Sequence, residues 1–392
     1  MVSYDTSQWE YQILDRIQAF GYTANDFANP VEDCESLYQN ICEERVLWSD
    51  KEVVEFTGDT GLALQDAINE NGGKIIAISS DEINVEQTIQ MKSDTYLLGD
   101  DVDIHADVEG DVFSMKDISN SAISGFRVDG NADNAGFSFG NCYEMESFPS
   151  EIILYQNEVS NNQAGGIYCC GVYKSYFINN TVVGNQKEGT CLDWQTFGCF
   201  LLKNTYQRNG WRANQTDEIL KSDAVLEQGR MFDGSANAKL PGVSLDNAAY
   251  NILEQNTVCE NGGSGIKSVR AAVDNLITKN IIYDNNSGCN PVYHFFGIEL
   301  GGEKDIQIGK NMDAPESGEL WNMDAGPAIG NIVTNNTVSG SHYAALFLAG
   351  GSQDNIIRNN ISTGETYWCI ESIAEKENVF DANAGEKPNR IL

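Results

Sequence analysis

Six short segments carry the residues with the greatest chemical potential. They are GIYCCGV (166–172), GTCLDWQ (189–195), GVSLDNA (242–248), GIKSVRA (265–271), GIELGG (297–302) and ALFLAGG (345–351). Most open on glycine, and each then alternates its side chains with a period of two. That period marks a strand whose two faces meet different surroundings. With Ile167, Thr190, Val243, Ile266, Ile298 and Leu346 inward, the outward set reads Tyr168, Cys191, Ser244, Lys267, Glu299 and Phe347. Two positions further along come Cys170, Asp193, Asp246, Val269 and Gly301. If the segments stack in register, Asp193 and Asp246 become neighbours about 5 Å apart. Lys267 and Glu299 then occupy the next two rungs.

That set suggests chemistry at a sugar. Two stacked carboxylates repel, so one is expected to hold its proton while the other stays ionised, as glycoside hydrolysis requires. Lys267 offers a counter-charge or, once deprotonated, a base at a sugar C5. A lyase or an epimerase needs such a base, and also a cation to neutralise a uronate carboxylate. Arg208, Arg212 and Arg270 are the candidates. Tyr168 suits an acid or a stacking platform, and Trp194 and Trp211 suit stacking on a sugar ring. His294, in YHFFG, completes the substrate-binding set; His105 and His342 are weaker candidates. Calcium on Asp193 and Asp246 is one alternative, because it prefers oxygen ligands. No other cofactor or metal is expected. The plain reading stands beside all of these: an outward Asp on a strand is commonly solvated, and an outward Lys pairs with it.

The elements that must position these residues follow from a recurring asparagine. NNTVVGN (179–185), KNTYQRN (203–209), QNTVCEN (255–261), KNIIYDN (279–285), NNTVSGS (335–341) and NNISTGE (359–365) share one pattern, with QNEVSNN (156–162) as an earlier relative. Asn157, Asn180, Asn204, Asn256, Asn280, Asn336 and Asn360 are spaced by 23, 24, 52, 24, 56 and 24 residues. A repeat near 24 residues, interrupted twice, signals a solenoid. Asn, Gly and β-branched residues dominate and exclude helical repeats. The fold class is all-β, a parallel β-helix. Asn stacks on Asn from coil to coil, in a left-handed corner that its side chain tolerates. Asn-x-Ser/Thr matches such as Asn179 and Asn335 are therefore read as corners rather than glycan acceptors.

The front of the chain differs. SQWEYQILDRIQAF (7–20) and VEDCESLYQNICEERV (31–46) carry apolar residues at helical spacing. TGLALQDAINENGGK (60–74) reads as a further helix, C-capped by Gly72 or Gly73. Such helices are expected to cover the open end of the solenoid. This gives a helical segment over 1–52, a β-helix over 53–380 and a C-terminal tail over 381–392, of which EKPNRIL (386–392) is expected to be loose. Insertions fall near 212–240 and 303–327, with a smaller one near 286–296. Long loops on a rigid solenoid tend to build its binding site.

Bulk properties limit the function. The 392 residues carry a net charge of −34, which repels nucleic acid, anionic membrane and, without counter-ions, a polyanionic sugar. No apolar run reaches the ~18 residues of a membrane span. The opening MVSYDTSQWE shows no basic or apolar stretch of a signal peptide. The ten cysteines match no zinc spacing and are read as free thiols packed in the core.

TGLALQDAINENGG followed by QTIQMKSDTYLLGDD resembles the opening of pectate-lyase-like right-handed β-helix proteins. SNSAISGFRVDGNADN (119–134) and EGTCLDWQTFGCFLLKN (188–204) are most similar to the catalytic module of mannuronan C5-epimerases. The resemblance spans roughly residues 55–365. It implies a right-handed coil, a groove aspartate at Asp193 and a turn at DGNADN (129–134). The family's Asp-Pro-His-Glu signature would fall at Tyr168-Cys169-Cys170-Gly171 and is absent. The expected function is action on a polysaccharide or oligosaccharide as a uronan lyase or C5-epimerase-like enzyme. A glycoside hydrolase or transferase using the stacked carboxylates is the alternative. A non-catalytic tailspike or adhesin, built as a homotrimer, is a third. An extracellular or cell-surface setting is favoured.

Overall fold

A computed structural model describes residues 51–130, 134–140, 147–193, 196–210, 240–246, 248–268, 272–285, 296–301, 328–340, 344–348, 352–365, 367–371, 378–385 and 390–391. The segments expected as helices at 7–20 and 31–46 lie outside these residues, as do nearly all of the insertions.

The chain winds into a parallel solenoid with three faces. Face 1 is an 11-stranded sheet running from Ile89–Gln90 through Ile167–Cys170, Thr190–Asp193, Val243–Leu245, Ile266–Ser268 and Phe296–Leu300 to Arg390–Ile391. The other two faces belong to one 21-stranded sheet. Two long strands, Tyr96–Ala106 and Ser119–Gly130, turn the corner between them without a break. Face 2 holds strands such as Tyr176–Ile178 and Phe200–Leu202; face 3 holds Thr181–Val183 and Thr205–Gln207. Each coil therefore runs from face 1 to face 2 to face 3. Towards the end of the chain Val379–Asp381 and Ala384–Gly385 extend faces 2 and 3, and Arg390–Ile391, in the stretch expected to be loose, pairs on face 1 instead.

Asparagine amides lock the corners. Between faces 2 and 3, Asn157, Asn180, Asn204, Asn256, Asn280, Asn336, Asn360 and Asn383 form one ladder. Each Nδ2 donates to the next Oδ1 at 2.9 to 3.2 Å. Asn204 shows the full pattern. Its Nδ2 also donates to the Phe177 carbonyl at 2.7 Å, and its Oδ1 accepts from the backbone N–H of Asn180 at 2.8 Å. A buried amide thus satisfies backbone groups that the turning chain would leave unpaired. A second ladder (Asn162, Asn185, Asn209, Asn261, Asn285) closes the corner before face 1. A third (Asn251, Asn275, Asn331, Asn355, Asn378) closes the corner before face 2.

One expectation needs correction. The ladder asparagines do not adopt the left-handed conformation; the residue before each does. Gln156, Asn179, Lys203, Gln255, Lys279, Asn335 and Asn359 all have φ between 54° and 57°. The bend falls one residue early, which frees the ladder asparagine to point its amide inward.

The repeated glycine that opens the face 1 strands has a steric cause. A Cβ on Gly166 would stand 2.2 Å from Val182 Cγ1 and 2.9 Å from Asn185 Nδ2. The chain passes too close to the second ladder to carry a side chain there.

The helix Gly61–Glu70 closes the first coil. Thr60 caps it by accepting from the Ala63 N–H, and Leu64 and Ile68 are fully buried on the solenoid end. It ends earlier than the glycines suggest. Asn71 is the C-cap, and its side chain donates to the Ala67 carbonyl at 2.9 Å. Inside the coils runs one continuous apolar core, including stacked rings such as Phe113 and Phe137.

Candidate active site on face 1

Face 1 has the register read from the sequence. Tyr168, Cys191, Ser244, Lys267, Glu299 and Phe347 follow one another rung by rung. Their inward neighbours Ile167, Thr190, Val243, Ile266, Ile298 and Leu346 are buried. Asp193 pairs with Cys170. The Asp246 N–H donates to the Leu192 carbonyl at 2.7 Å, continuing the ladder and keeping Asp246 opposite Asp193. Adjacent rungs lie about 4.8 Å apart, so the two half-buried carboxyl groups share one stretch of the surface.

Tyr168 reaches along the face to this pair. Its hydroxyl donates to Asp193 Oδ2 at 2.8 Å. Burial first, and then the Asp193 charge, push the phenol far above its ordinary range. It therefore stays protonated and acts as a donor that orients the Asp193 carboxylate. Cys191 lies in the same neighbourhood. Its thiol is raised well above the usual value by burial, reinforced by the charges of Glu188, Asp193 and Asp246.

Two rungs on, Lys267 Nζ meets Glu299 Oε1 at 2.8 Å, with the side chains only 17% and 12% exposed. Ser264 Oγ donates to the second Glu299 oxygen at 2.7 Å and accepts from the Phe296 N–H at 3.1 Å. The Lys267 ammonium is thus already engaged. Beyond it the ladder turns aromatic: Phe296 stacks on Phe347 with centroids 4.7 Å apart, beside Ala344 and Tyr367.

The remaining candidates separate from this ladder. Arg208 stands at the corner before face 1, with φ +55°, and its Nε donates to Glu260 Oε2 at 2.7 Å. His105 lies on face 3, with Nε2 3.9 Å from Glu82. Trp194, Trp211, Arg212, Arg270, His294 and His342 lie outside the described residues. Sequence reasoning missed Ser264, Glu188 and the Phe296–Phe347 stack. The serine before Gly265 and the phenylalanine before Gly297 sit at the strand entrance, where the period-two pattern has not yet begun.

The three-faced winding defines the class: a pectate-lyase-like, right-handed parallel β-helix. Residues 68–287, more than half of the chain, match the family described as Periplasmic copper-binding protein (NosD), and the chain belongs to that family. No curated protein matches the sequence. Among solved structures, the Dettilon tailspike protein shares 16% identity at a TM-score of 0.60, over 85% of this chain and 62% of the tailspike. This chain therefore spans under two thirds of that protein's length. The N-terminal fragment of bacteriophage Phi29 gene product 12 shares 10% identity at a TM-score of 0.51, over 92% of this chain and 68% of the other. An alginate lyase from Paenibacillus sp. str. FPU-7 shares 12% identity at a TM-score of 0.48, over 86% and 99%. At these identities the likeness concerns the fold.

The family description raises copper, and the described residues do not fit it. Copper takes thiolate, thioether or neutral imidazole ligands. Cys169, Cys191 and Cys199 are buried thiols, and burial raises all three, Cys199 to about 12, so they remain protonated. His105 is remote from them on face 3, and Met91 and Met115 are packed in the core. Among the described residues no group of three His, Cys, Asp or Glu is placed to hold an ion, which also leaves the expected calcium without a cluster. No helix among them is long and apolar enough to cross a membrane.

Proposed function

We propose that the chain hydrolyses a polysaccharide lying along face 1, with Asp193 and Asp246 as the working carboxyl groups. The observation that carries this reading is their placement on adjacent rungs, with the Tyr168 hydroxyl on Asp193. A hydrogen bond from a phenol that keeps its proton favours the ionised form of its acceptor. Asp193 is then the nucleophile and attacks the anomeric carbon. Asp246 donates its proton to the departing glycosidic oxygen as that bond breaks. In the second step Asp246 takes a proton from water, whose oxygen attacks the anomeric carbon and releases Asp193. The backbone spacing of adjacent rungs, about 4.8 Å, suits the short carboxyl separation of the two-step, retaining course. The stacked rings of Phe296 and Phe347 offer an apolar wall further along the same face.

The same geometry weighs against the uronan lyase or C5-epimerase reading. That chemistry needs a free base and a cation for the uronate. On the described ladder, Lys267 is tied to Glu299, and the carboxyl groups of Glu188, Asp193, Asp246 and Glu299 outnumber it. A neutral or weakly charged glycan suits this face better than a polyanion.

A panel of neutral and anionic polysaccharides, read for reducing ends and for ultraviolet absorbance, tests the proposal. Reducing ends without new absorbance are expected. Unsaturated, absorbing ends from an anionic chain would establish the lyase instead.

A further inference from the structure

Face 1 continues past the carboxyl pair in both directions, and its two ends differ in kind. Lys116, Gly140, Cys170 and Asp193 each stand two positions after the outward residue of their strand, on successive rungs; those outward residues are Ser114, Ser138, Tyr168 and Cys191. Lys116 is therefore about 14 Å along the solenoid from Asp193, a distance of three rungs. At the opposite end of the face lie the stacked rings of Phe296 and Phe347.

Lys116 differs from the cations around it. Arg127, Lys174, Lys267, Lys279 and Arg358 each meet a carboxylate at 2.6 to 3.4 Å. Lys116 is half-buried, yet its ammonium has no ion pair or hydrogen bond among the described residues. This occurs in a chain with 58 acidic and 24 basic residues. The acids close to it in sequence are engaged elsewhere. Asp111 accepts from the Ala135 N–H at 3.1 Å and from the Ser138 hydroxyl. Asp117 accepts from the Ser147 N–H at 2.8 Å. A partly shielded ammonium without an anionic partner is costly, and a bound anion removes that cost. Gly140 gives the lysine its path: a Cβ there would stand 3.1 Å from Lys116 Cγ and 3.2 Å from Lys116 Cβ. The lysine stem thus lies against the glycine, on the side of its rung that leads to Asp193.

We propose that Lys116 is a specificity residue that binds a carboxylate on the glycan, and that the substrate is a sparsely charged acidic heteropolysaccharide. This rests on the placement of the glycan along face 1 proposed above. A carboxylate at Lys116 gains the ammonium. Asp193 and Asp246 oppose it little, because charges that far apart exceed the Debye length of about 8 Å at physiological salt. The same two aspartates repel a carboxylate on a sugar seated directly over them. A polyuronate, charged at every residue, meets both the attraction and the repulsion. A heteropolysaccharide with one uronate in its repeat places that sugar at Lys116 and neutral sugars over the carboxyl pair, and meets the attraction alone.

Calorimetric titration of the full chain carrying Asp193→Asn, which leaves a bound glycan intact, tests this without relying on turnover. The probes are gellan and xanthan oligosaccharides, their carboxyl-reduced forms, and oligomannuronate. At least one sparsely charged acidic probe is expected to bind about tenfold tighter than its reduced form and than oligomannuronate, the worth of one charge-assisted contact. Adding Lys116→Gln should abolish that preference with an unchanged melt, and Lys116→Arg should keep it. The preference should also shrink as salt rises. The inference is overturned if reduced forms bind equally well, if oligomannuronate binds tightest, if no probe binds, or if Lys116→Gln keeps the preference. Lys116-dependent binding by a chain that releases no reducing ends would sink the hydrolysis reading alone. Cleavage of a glycan whose binding ignores its carboxylate would sink this inference alone.

Discussion

A single asparagine in this solenoid works as a joint. Asn204 ties three coils through its donor bonds to Phe177 and Asn256 and its acceptor bonds from Asn180. Replacing it by alanine leaves the Asn180 N–H and the Phe177 carbonyl buried without that partner. Asn204→Ala should lower unfolding free energy by about 3 kcal/mol, measured by denaturant titration, with the fold retained. The spacing of this ladder is visible in the sequence because asparagine recurs at one phase in every coil. The positive φ at the preceding residue is not, since Gln, Lys and Asn all occupy it. The Tyr168–Asp193 bond was equally hidden. Register sets which residues share a column, but it does not say that a phenol will lean across to a carboxyl group one rung on and two positions along.

Strands and their pairings carry the argument at the next scale. Face 1 was legible down to its register, because Gly, an inward apolar residue and an outward polar one recur from Gly166 to Glu299. Face 2 was not. Strands such as YFI and FLL are apolar on both sides, and an uninterrupted apolar run does not reveal which face meets solvent. The Lys267–Glu299 pair spans two neighbouring strands and is mostly shielded from water. Removing one partner leaves a shielded charge, so Lys267→Met should cost about 3 to 5 kcal/mol. The double variant Lys267→Met/Glu299→Gln should cost clearly less than the single. Comparison of their thermal melts reads this coupling; equal losses in the two variants would show that the pair contributes little.

At the scale of the whole molecule, the stacked core sets a direction for pH. Cys169, Cys191, Cys199, Tyr168 and Tyr206 are all raised, chiefly by burial, from ordinary values of 9.0 for the thiols and 10.0 for the phenols. The unfolded chain releases these protons first. Stability is therefore fully present below the unfolded values and is lost as pH rises through the folded ones. The melting temperature should fall steeply above about pH 9, and a flat profile through that range would mean the groups are less buried than described. The acidic surface, with a net charge of −34, bears on the substrate and not on the winding. The coil period and fold class were readable from composition and spacing, whereas the side-chain contacts on face 1, such as Tyr168 to Asp193 and Lys267 to Glu299, were not. The most direct test of the proposed hydrolysis is the rate of reducing-end release by Asp193→Asn, compared with the wild-type chain, on the polysaccharide that responds in the panel. A fall of at least about 100-fold with an unchanged melt is predicted; wild-type turnover by this variant would contradict the assignment of catalysis to face 1.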